Sequence, residues 1–314
     1  LSLEIIYGLE EFDTISENLV VSLGTFDGLH VGHQAILKSL MTSAEKAGLN
    51  PVAVTFEPHP RVLVTPDSPP PLLTVWEEKA RLFADYMNGR LLVLKFNKEL
   101  MSQSAEQFAR EILVEKLHLK KLIVGYDHAF GKNRSGTIND LMELSRKYAF
   151  ELEVVNPVII EGRPVSSTRI RHLITERKFP QALDMLGHPY PIYGVVEKGI
   201  ALGKELGYPT ANIRCDERKL LPVDGVYSCR VEYKGQMYNG MMFIGTNYFN
   251  PENKRSVEVN IFDFDRDIYG HEIICYPRIF VRENIKFVDR EELVGQIAKD
   301  KENILKLINK GDHR

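Results

Sequence analysis

The chain has few cysteines, little net charge and no long apolar run, and each shortage removes a class of function. Cys215, Cys229 and Cys275 are odd in number and far apart. That spacing supports neither a disulfide framework nor a C-x-x-C metal site. Cys229 and Cys275 fall in strand-like runs, where a buried thiol behaves as a small hydrophobe. A formal net charge of -3 gives no general attraction to nucleic acid or an anionic membrane, so any anion site must be local. No apolar run approaches the ~20 residues of a membrane span, and the first residues lack the basic and apolar regions of a secretory signal. The chain therefore reads as cytoplasmic, with small molecules as partners and neither nucleic acid nor membrane among them. There is also no G-x-x-x-x-G-K-[ST], so a P-loop is excluded. No repeat or low-complexity array is present; PDSPPP (66–71) is a stiff, extended connection.

What is there suits folded cores: 44% hydrophobic and 26% charged residues over 314 positions, a length that fits two domains. Up to about Leu186 short apolar runs alternate with helical periods. LVVSL (19–23), VAVTF (52–56), LLVLKF (91–96) and KLIVG (121–125) read as strands. Ile36, Leu37, Leu40, Met41 and Ala44 recur at helical spacing before Gly48, a C-terminal cap. Ser104 and Gln107 form a capping-box pattern ahead of Phe108, Ile112 and Leu113. Strand alternating with helix predicts a parallel sheet covered on both faces, with ligands beyond the carboxyl ends of its strands. After Gly187 the pattern becomes a series of strand-like runs broken by Gly, Pro, Asn and Asp, which predicts an antiparallel sandwich or small barrel. From Asp289, the expected N-cap, Leu293, Ile297, Ile304, Leu305 and Ile308 predict a closing helix. The two domains are thus expected at 1–186 and 187–314.

GTFDGLHVGHQAIL (24–37) joins the first of these strands to its helix. A glycine-bearing turn entering a helix presents backbone N–H groups and the positive end of the helix dipole. Gly24, Gly28 and Gly32 remove side chains where a phosphate must approach closely. His30 and His33 can donate hydrogen bonds to phosphate oxygens, with more force when protonated. The same pair could hold a metal, although no Cys or carboxylate nearby completes a ligand set, or could only cap the helix.

In the second half, GVVEKGIALGKELGYPTANI (194–213) spaces glycines, among them Gly199 and Gly203, ahead of Thr210 and Asn212. In an extended strand i and i+2 share a face, so the Thr210 hydroxyl and the Asn212 amide oxygen could converge on one hard cation such as Mg²⁺. Two neutral ligands suffice only if ATP phosphates complete the octahedron. Taken alone, the arrangement also fits a purely structural role.

The strand followed by H-x-G-H resembles the nucleotidyltransferases, and its longer context is similar to bacterial FAD synthetase. FEPHP (56–60), IVGYDHAFGKNRSG (123–136), VSSTRIRHLI (165–174) and ALDMLGHPY (182–190) match that family in order. LGYPTAN resembles the riboflavin kinase signature, followed by LPVDGVYSCRV (221–231), FIGTN (243–247), SVEVNIFDFDRDIYG (256–270) and FVRENIKF (280–287). Together these resemblances span nearly the whole chain. They imply an α/β Rossmann-like nucleotidyltransferase domain followed by an antiparallel β-barrel domain with a closing helix. They imply riboflavin, FMN, FAD and ATP as ligands, Mg²⁺ as cofactor, and a bifunctional enzyme that makes FMN and then FAD. By the resemblance ATP binds at Gly24, Phe26, Asp27, Gly28 and Gly32, and His30 and His33 stabilise charge growing on the phosphate oxygens. Ser166, Ser167 and Thr168 would supply hydroxyls and Arg171 a cation. Asp127 would bond the adenosine portion, and His59 would lie near the phosphates. In the second domain Glu258 would be general base toward the terminal ribityl hydroxyl, and its alternation with Val257 and Val259 points it away from them. Arg282 would hold flavin or phosphate. Two departures stand out: His128 where the family usually has Phe, and Tyr248–Phe249 after GTN where Pro-Thr is common.

Overall fold

The computed structural model describes residues 2–12, 18–132, 135–199, 202–246 and 255–309; Tyr248 and Phe249 lie outside them. By packing, the chain forms two compact units, Leu1–Pro71 with Lys79–Ser167, and Leu72–Glu78 with Thr168–Arg314.

In chain order the first part runs β1 (Leu3–Tyr7), β2 (Leu19–Leu23), α1 (Val31–Ala47), β3 (Asn50–Glu57), α2 (Pro60–Val64), α3 (Trp76–Tyr86), β4 (Gly89–Lys95), α4 (Lys98–Ser102) and α5 (Ala105–Phe108). It continues through a π-helix (Ala109–Lys116), β5 (Leu119–Gly125), α6 (Ile138–Tyr148), β6 (Glu151–Val155) and a ribbon of β7 (Ile159–Ile160) and β8 (Arg163–Pro164). The six strands β1–β6 form one sheet in the order β1-β4-β3-β2-β5-β6, and every pairing in it is parallel. The chain leaves β2 toward β3 on one side while β5 lies on the other. The loops after β2 and β5 therefore flank the switch point where such sheets bind ligands.

Leu19, Val21, Val52, Val54, Leu92, Leu122 and Val124 form the centre of the core, joined by Phe108, Ile112, Leu113 and Leu117 from the helix after Ser104. The expected capping box is present at Ser104 and Gln107. Beyond it the helix winds wider, with the Leu117 N–H bonded to the Ile112 carbonyl. Its buried positions recur every four or five residues, which suits i→i+5 winding better than a 3.6-residue turn.

The second part comprises α7 (Ser167–Thr175), α8 (Phe179–Leu186), β9 (Ile192–Glu197), α9 (Leu202–Glu205), β10 (Ala211–Arg214), β11 (Gly225–Tyr233), β12 (Gln236–Thr246), β13 (Arg255–Ile261), β14 (Glu272–Arg282) and α10 (Arg290–Asn309). Of the two expected forms the barrel is found. It closes in the order β10-β13-β12-β11-β14-β9, with β9 and β10 sealing it from Asn212↔Glu197 to Arg214↔Val195. Lys234 and Gly235 join β11 to β12 in a two-residue turn with both φ positive, the twist that antiparallel neighbours prefer. Cys229 and Cys275 are buried, as are Val231, Val257 and Val259, and Val257 and Val259 flank half-exposed Glu258. Asp289 accepts the Glu292 N–H at 2.8 Å and so starts α10. Ile304 of that helix packs on Val226, Met241 and Phe262.

Residues 72–78 are stitched into the barrel unit. Leu72 bridges Lys219 in β fashion, and Glu78 Oε2 meets Lys219 Nζ at 2.6 Å with both side chains sealed from water. The ammonium also donates to the Leu73 carbonyl at 2.6 Å and sits 3.9 Å from the Tyr190 ring centroid. Glu78 further accepts the N–H groups of Val75 and Tyr193. Burial raises the Glu78 carboxyl above its ordinary range, while Lys219 and the two backbone donors oppose that shift. The pair persists because both carboxylate oxygens accept hydrogen bonds and the ammonium meets two acceptors and a ring face. Lys219→Met should therefore lower the unfolding free energy by about 3–5 kcal/mol in urea titrations, and Glu78→Leu added to it should restore much of the loss. A single variant as stable as the parent would contradict this account.

Candidate active sites

The loop from Gly24 to His30 turns sharply, and two of its non-glycine residues, Phe26 and Leu29, take positive φ as does Gly28. Left-handed backbone at bulky residues is strained, and here burial of both side chains holds it. The loop's carbonyls are turned into the protein. Thr25 O accepts from Thr55 Oγ1 (3.3 Å), Phe26 O from the Leu29 N–H (3.1 Å), Asp27 O from Ser167 Oγ (2.9 Å) and Leu29 O from Gln34 Nε2 (2.9 Å). With these acceptors occupied, the loop offers less repulsion to an anion.

His30 is the N-cap of α1 and makes no side-chain cap, so the capping role considered for it is not adopted. Its ring instead stacks on His33, centroids 3.7 Å apart and 17° between planes. Phe26 stands edge-on to His33 at 5.4 Å, and Phe83 edge-on to Phe26 at 5.2 Å. Gly24 and Gly32 open space chiefly for the protein's own rings: a Cβ at either would lie 3.2 Å from Phe26 or His30. Burial first, then His30 and Lys79, hold the His33 pKa well below its ordinary value, and its Nδ1 is buried with no hydrogen-bond partner among the described residues. His33 therefore rests neutral, and a phosphate would oppose the effect of His30 and Lys79 by bringing negative charge to the ring.

Two further motifs border the same strand ends. His59 caps α2, its Nδ1 accepting the Arg61 N–H at 3.1 Å. In the neutral ring that bond assigns the proton to Nε2. Asp127 follows β5, exposed, with Oδ1 3.5 Å from where a Gly125 Cβ would sit. His128 turns back through its N–H to the Gly125 carbonyl (3.1 Å) and lies over Phe130, centroids 5.7 Å apart, so the imidazole keeps an aromatic stacking role. Ser166 is half-buried, and Ser167 begins α7; Thr168 is exposed and Arg171 half-buried further along that helix.

The second cluster is built on strand register. Asn212 on β10 lies directly opposite Glu258 on β13, so their side chains share a face. Val257 and Val259 are buried while Glu258 is half-exposed, the alternation expected from sequence. Gly199 abuts Asn212, where a Cβ would be 2.1 Å from the amide nitrogen, and Gly203 abuts Thr210, where it would be 3.0 Å from Oγ1. Only glycine lets that segment approach so closely. The structure thus brings Gly199, Gly203, Thr210, Asn212 and Glu258 together.

Two side chains that sequence reasoning left unnamed brace this cluster. Ser256 Oγ donates to Glu258 Oε1 at 3.1 Å, and Asn260 Nδ2 donates to the Pro209 carbonyl at 2.7 Å. Both lie two residues from Glu258, so strand periodicity was a usable signal. Arg282 is engaged elsewhere: its Nε donates to buried Asp300 of α10 at 2.8 Å, and Gln296 donates to the other Asp300 oxygen. Among the described residues no three His, Cys, Asp or Glu side chains group to hold a metal ion, and no helix is long and apolar enough to cross a membrane.

The sequence matches the FAD synthetase family model over residues 12–169 and the riboflavin kinase model over 186–308. Two curated relatives are bifunctional riboflavin kinase/FMN adenylyltransferases. That of Buchnera aphidicola is 35% identical over 95% of this chain and 96% of its own. That of Listeria monocytogenes is 36% identical over 91% of each. A solved structure described as a macrolide-efflux protein from Streptococcus pneumoniae superposes with a TM-score of 0.83 at 33% identity, covering 96% of this chain and 98% of that one.

The neutral His33 has a consequence for acid stability. Its folded pKa lies below the ordinary 6.5, so the unfolded chain binds the proton first as pH falls. The contribution is fully present above that value and is lost on descent toward the depressed one. His33→Gln, which does not titrate there, should gain on wild type in ligand-free thermal melts between pH 7.5 and pH 5.5. A constant difference in melting temperature across that range would contradict it.

Proposed function

The chain belongs to the bifunctional riboflavin kinase/FMN adenylyltransferases, using ATP to phosphorylate riboflavin to FMN and to adenylylate FMN to FAD, and we propose that the two reactions divide between the two clusters. Each half holds its own chemical set: an imidazole pair at a helix start in one, and an amide and a carboxylate on neighbouring strands, with a hydroxyl just before the first of them, in the other. That separation carries the assignment. We place the adenylyltransferase in 1–186 and the kinase in 187–314, in line with the matched segments.

In the kinase, Glu258 accepts the proton of the terminal ribityl hydroxyl as its oxygen attacks the γ-phosphorus of ATP and ADP leaves. Ser256 occupies one carboxylate oxygen and so orients the other. Thr210 Oγ1 and the Asn212 amide oxygen are hard, neutral donors, and Gly203 and Gly199 let the neighbouring backbone pack directly against them. They fit Mg²⁺ once ATP phosphates complete its shell, and the ion would neutralise phosphate charge. Arg282 would act from its Asp300 pair, holding the end of β14 near flavin or phosphate.

In the adenylyltransferase, an FMN phosphate oxygen attacks the α-phosphorus of ATP, and the bond to the leaving pyrophosphate breaks. The Gly24–Gly32 loop with Phe26, Asp27 and Gly28 cradles the nucleotide. His30 and His33 donate to the phosphate oxygens as charge builds, and His59 presents its Nε2 proton near them. Asp127 takes the adenosine hydroxyl or amine donors; Ser166, Ser167 and Thr168 supply hydroxyls, and Arg171 a cation. Cytoplasmic residence is consistent with three free thiols.

Purified protein supplied with riboflavin, ATP and Mg²⁺ should yield FMN and then FAD by chromatography. Glu258→Gln should abolish FMN formation yet convert supplied FMN to FAD; parallel loss of both would refute separate sites. His33→Ala should spare the kinase and raise the adenylylation barrier by about 3 kcal/mol, the scale for removing a transition-state donor. An unchanged rate would remove His33 from the chemistry.

A further inference from the structure

Lys79 is a buried lysine that neither motif includes. It is 2% exposed and sits on α3 one turn before Phe83, so both side chains share a helix face. Phe83 packs on Phe26, and Phe26 on His33; that face of α3 therefore lies against the His-bearing loop. The recorded ion pair of Lys79 is with Glu57 at the end of β3, Nζ to Oε2 3.9 Å, the outer limit for such a pair, and the Glu57 side chain is 30% exposed. The positive groups that act on the His33 ring are His30 and Lys79. Three groups able to carry positive charge thus gather at the start of α1, and the Glu57 carboxylate lies partly exposed beside them.

Resting on the assignment of adenylyl transfer to this site, we propose that Lys79 is a third anion-binding group there, held toward Glu57 in the free protein and turning to the ATP triphosphate when nucleotide binds. The leaving pyrophosphate carries the largest concentration of negative charge in the reaction. A lysine already stripped of water binds it without a further desolvation cost. Glu57 then acts as a resting counter-ion that competes with the nucleotide. The rival explanation is purely structural, with Lys79 and Glu57 serving only to pin α3 to β3.

The two explanations differ in the sign of one variant. The readouts are the ATP dependence of FAD synthesis from supplied FMN, the ATP dependence of riboflavin phosphorylation in the same protein, and the NMR titration of His33 without ligand. Lys79→Met should raise KM for ATP in adenylylation about tenfold or more, the scale for losing a charged hydrogen bond, and leave the kinase unchanged. Lys79→Arg should fall between. Glu57→Gln should leave that KM unchanged or lower it. The His33 titration should move up in Lys79→Met and down in Glu57→Gln. If Lys79→Met and Glu57→Gln weaken ATP use alike, or if Lys79→Met changes neither KM nor the titration, the proposal falls. Should Lys79→Met not fold, the Lys79→Arg and Glu57→Gln pair still decides the sign. His33→Ala separates the premise from the inference: if that variant makes FAD normally, the site assignment itself is wrong. If it does not, while Lys79→Met does, only the role of Lys79 is lost.

Discussion

A charge removed from water has to be answered within a few ångströms, and that constraint shapes both halves of this protein. With a net charge of -3 the chain has no general field to attract phosphates, so it concentrates positive potential locally. In the first unit this is done with partial charges and conditional ones. Helix α1 contributes N–H groups, the carbonyls of its entry loop are occupied by the protein, and burial with His30 and Lys79 holds the His33 pKa well below its ordinary value. In the barrel unit buried charges are met by permanent partners, as in Glu78–Lys219 and Asp300–Arg282. Thr210 and Asn212, both neutral, are half-buried against the glycine backbone that packs on them.

The two clusters use different means of placing side chains. A helix start lets residues at 30 and 33 meet because the chain rises only about 1.5 Å per residue. The barrel reaches the same end through pairing: Asn212 and Glu258 are far apart in sequence and adjacent by register alone. A one-residue slip of β13 would send Glu258 into the barrel interior. Val257, Val259 and Ile261, all buried, make that slip costly. The apolar alternation therefore sets the position of the carboxylate as much as it sets the core.

Much of this was legible beforehand, and the limits have physical causes. The loop-to-helix motif is local, so Gly24 through Leu37 could be read directly, as could Gly48, the Ser104 capping box and the Asp289 N-cap. Central strands such as LVVSL announce themselves because both faces are buried. The two edge strands β1 and β6 do not, since LEIIY and ELEVV mix charged and apolar residues as one-sided edges should. The wide winding of 109–116 was not read because Phe108, Ile112 and Leu113 alone also fit an ordinary helix; only Leu117, five residues past Ile112, favours the wider turn. Lys79 lies in WEEKAR, a string that reads as a solvated face; only tertiary packing buries it. Arg282 looked available for a ligand, and its partner lies eighteen positions away on a helix whose docking no local pattern encodes.

Glu78 and Lys79 are neighbours in the chain, yet they belong to different compact units and each is sealed from solvent. Anyone dissecting this enzyme at residue 187 would sever Lys219 from its carboxylate and lose the backbone bridge between Leu72 and Lys219. The severed barrel would carry an ammonium without its carboxylate partner, a buried charge left uncompensated. Modularity here is a property of the chemistry; the covalent seam runs elsewhere.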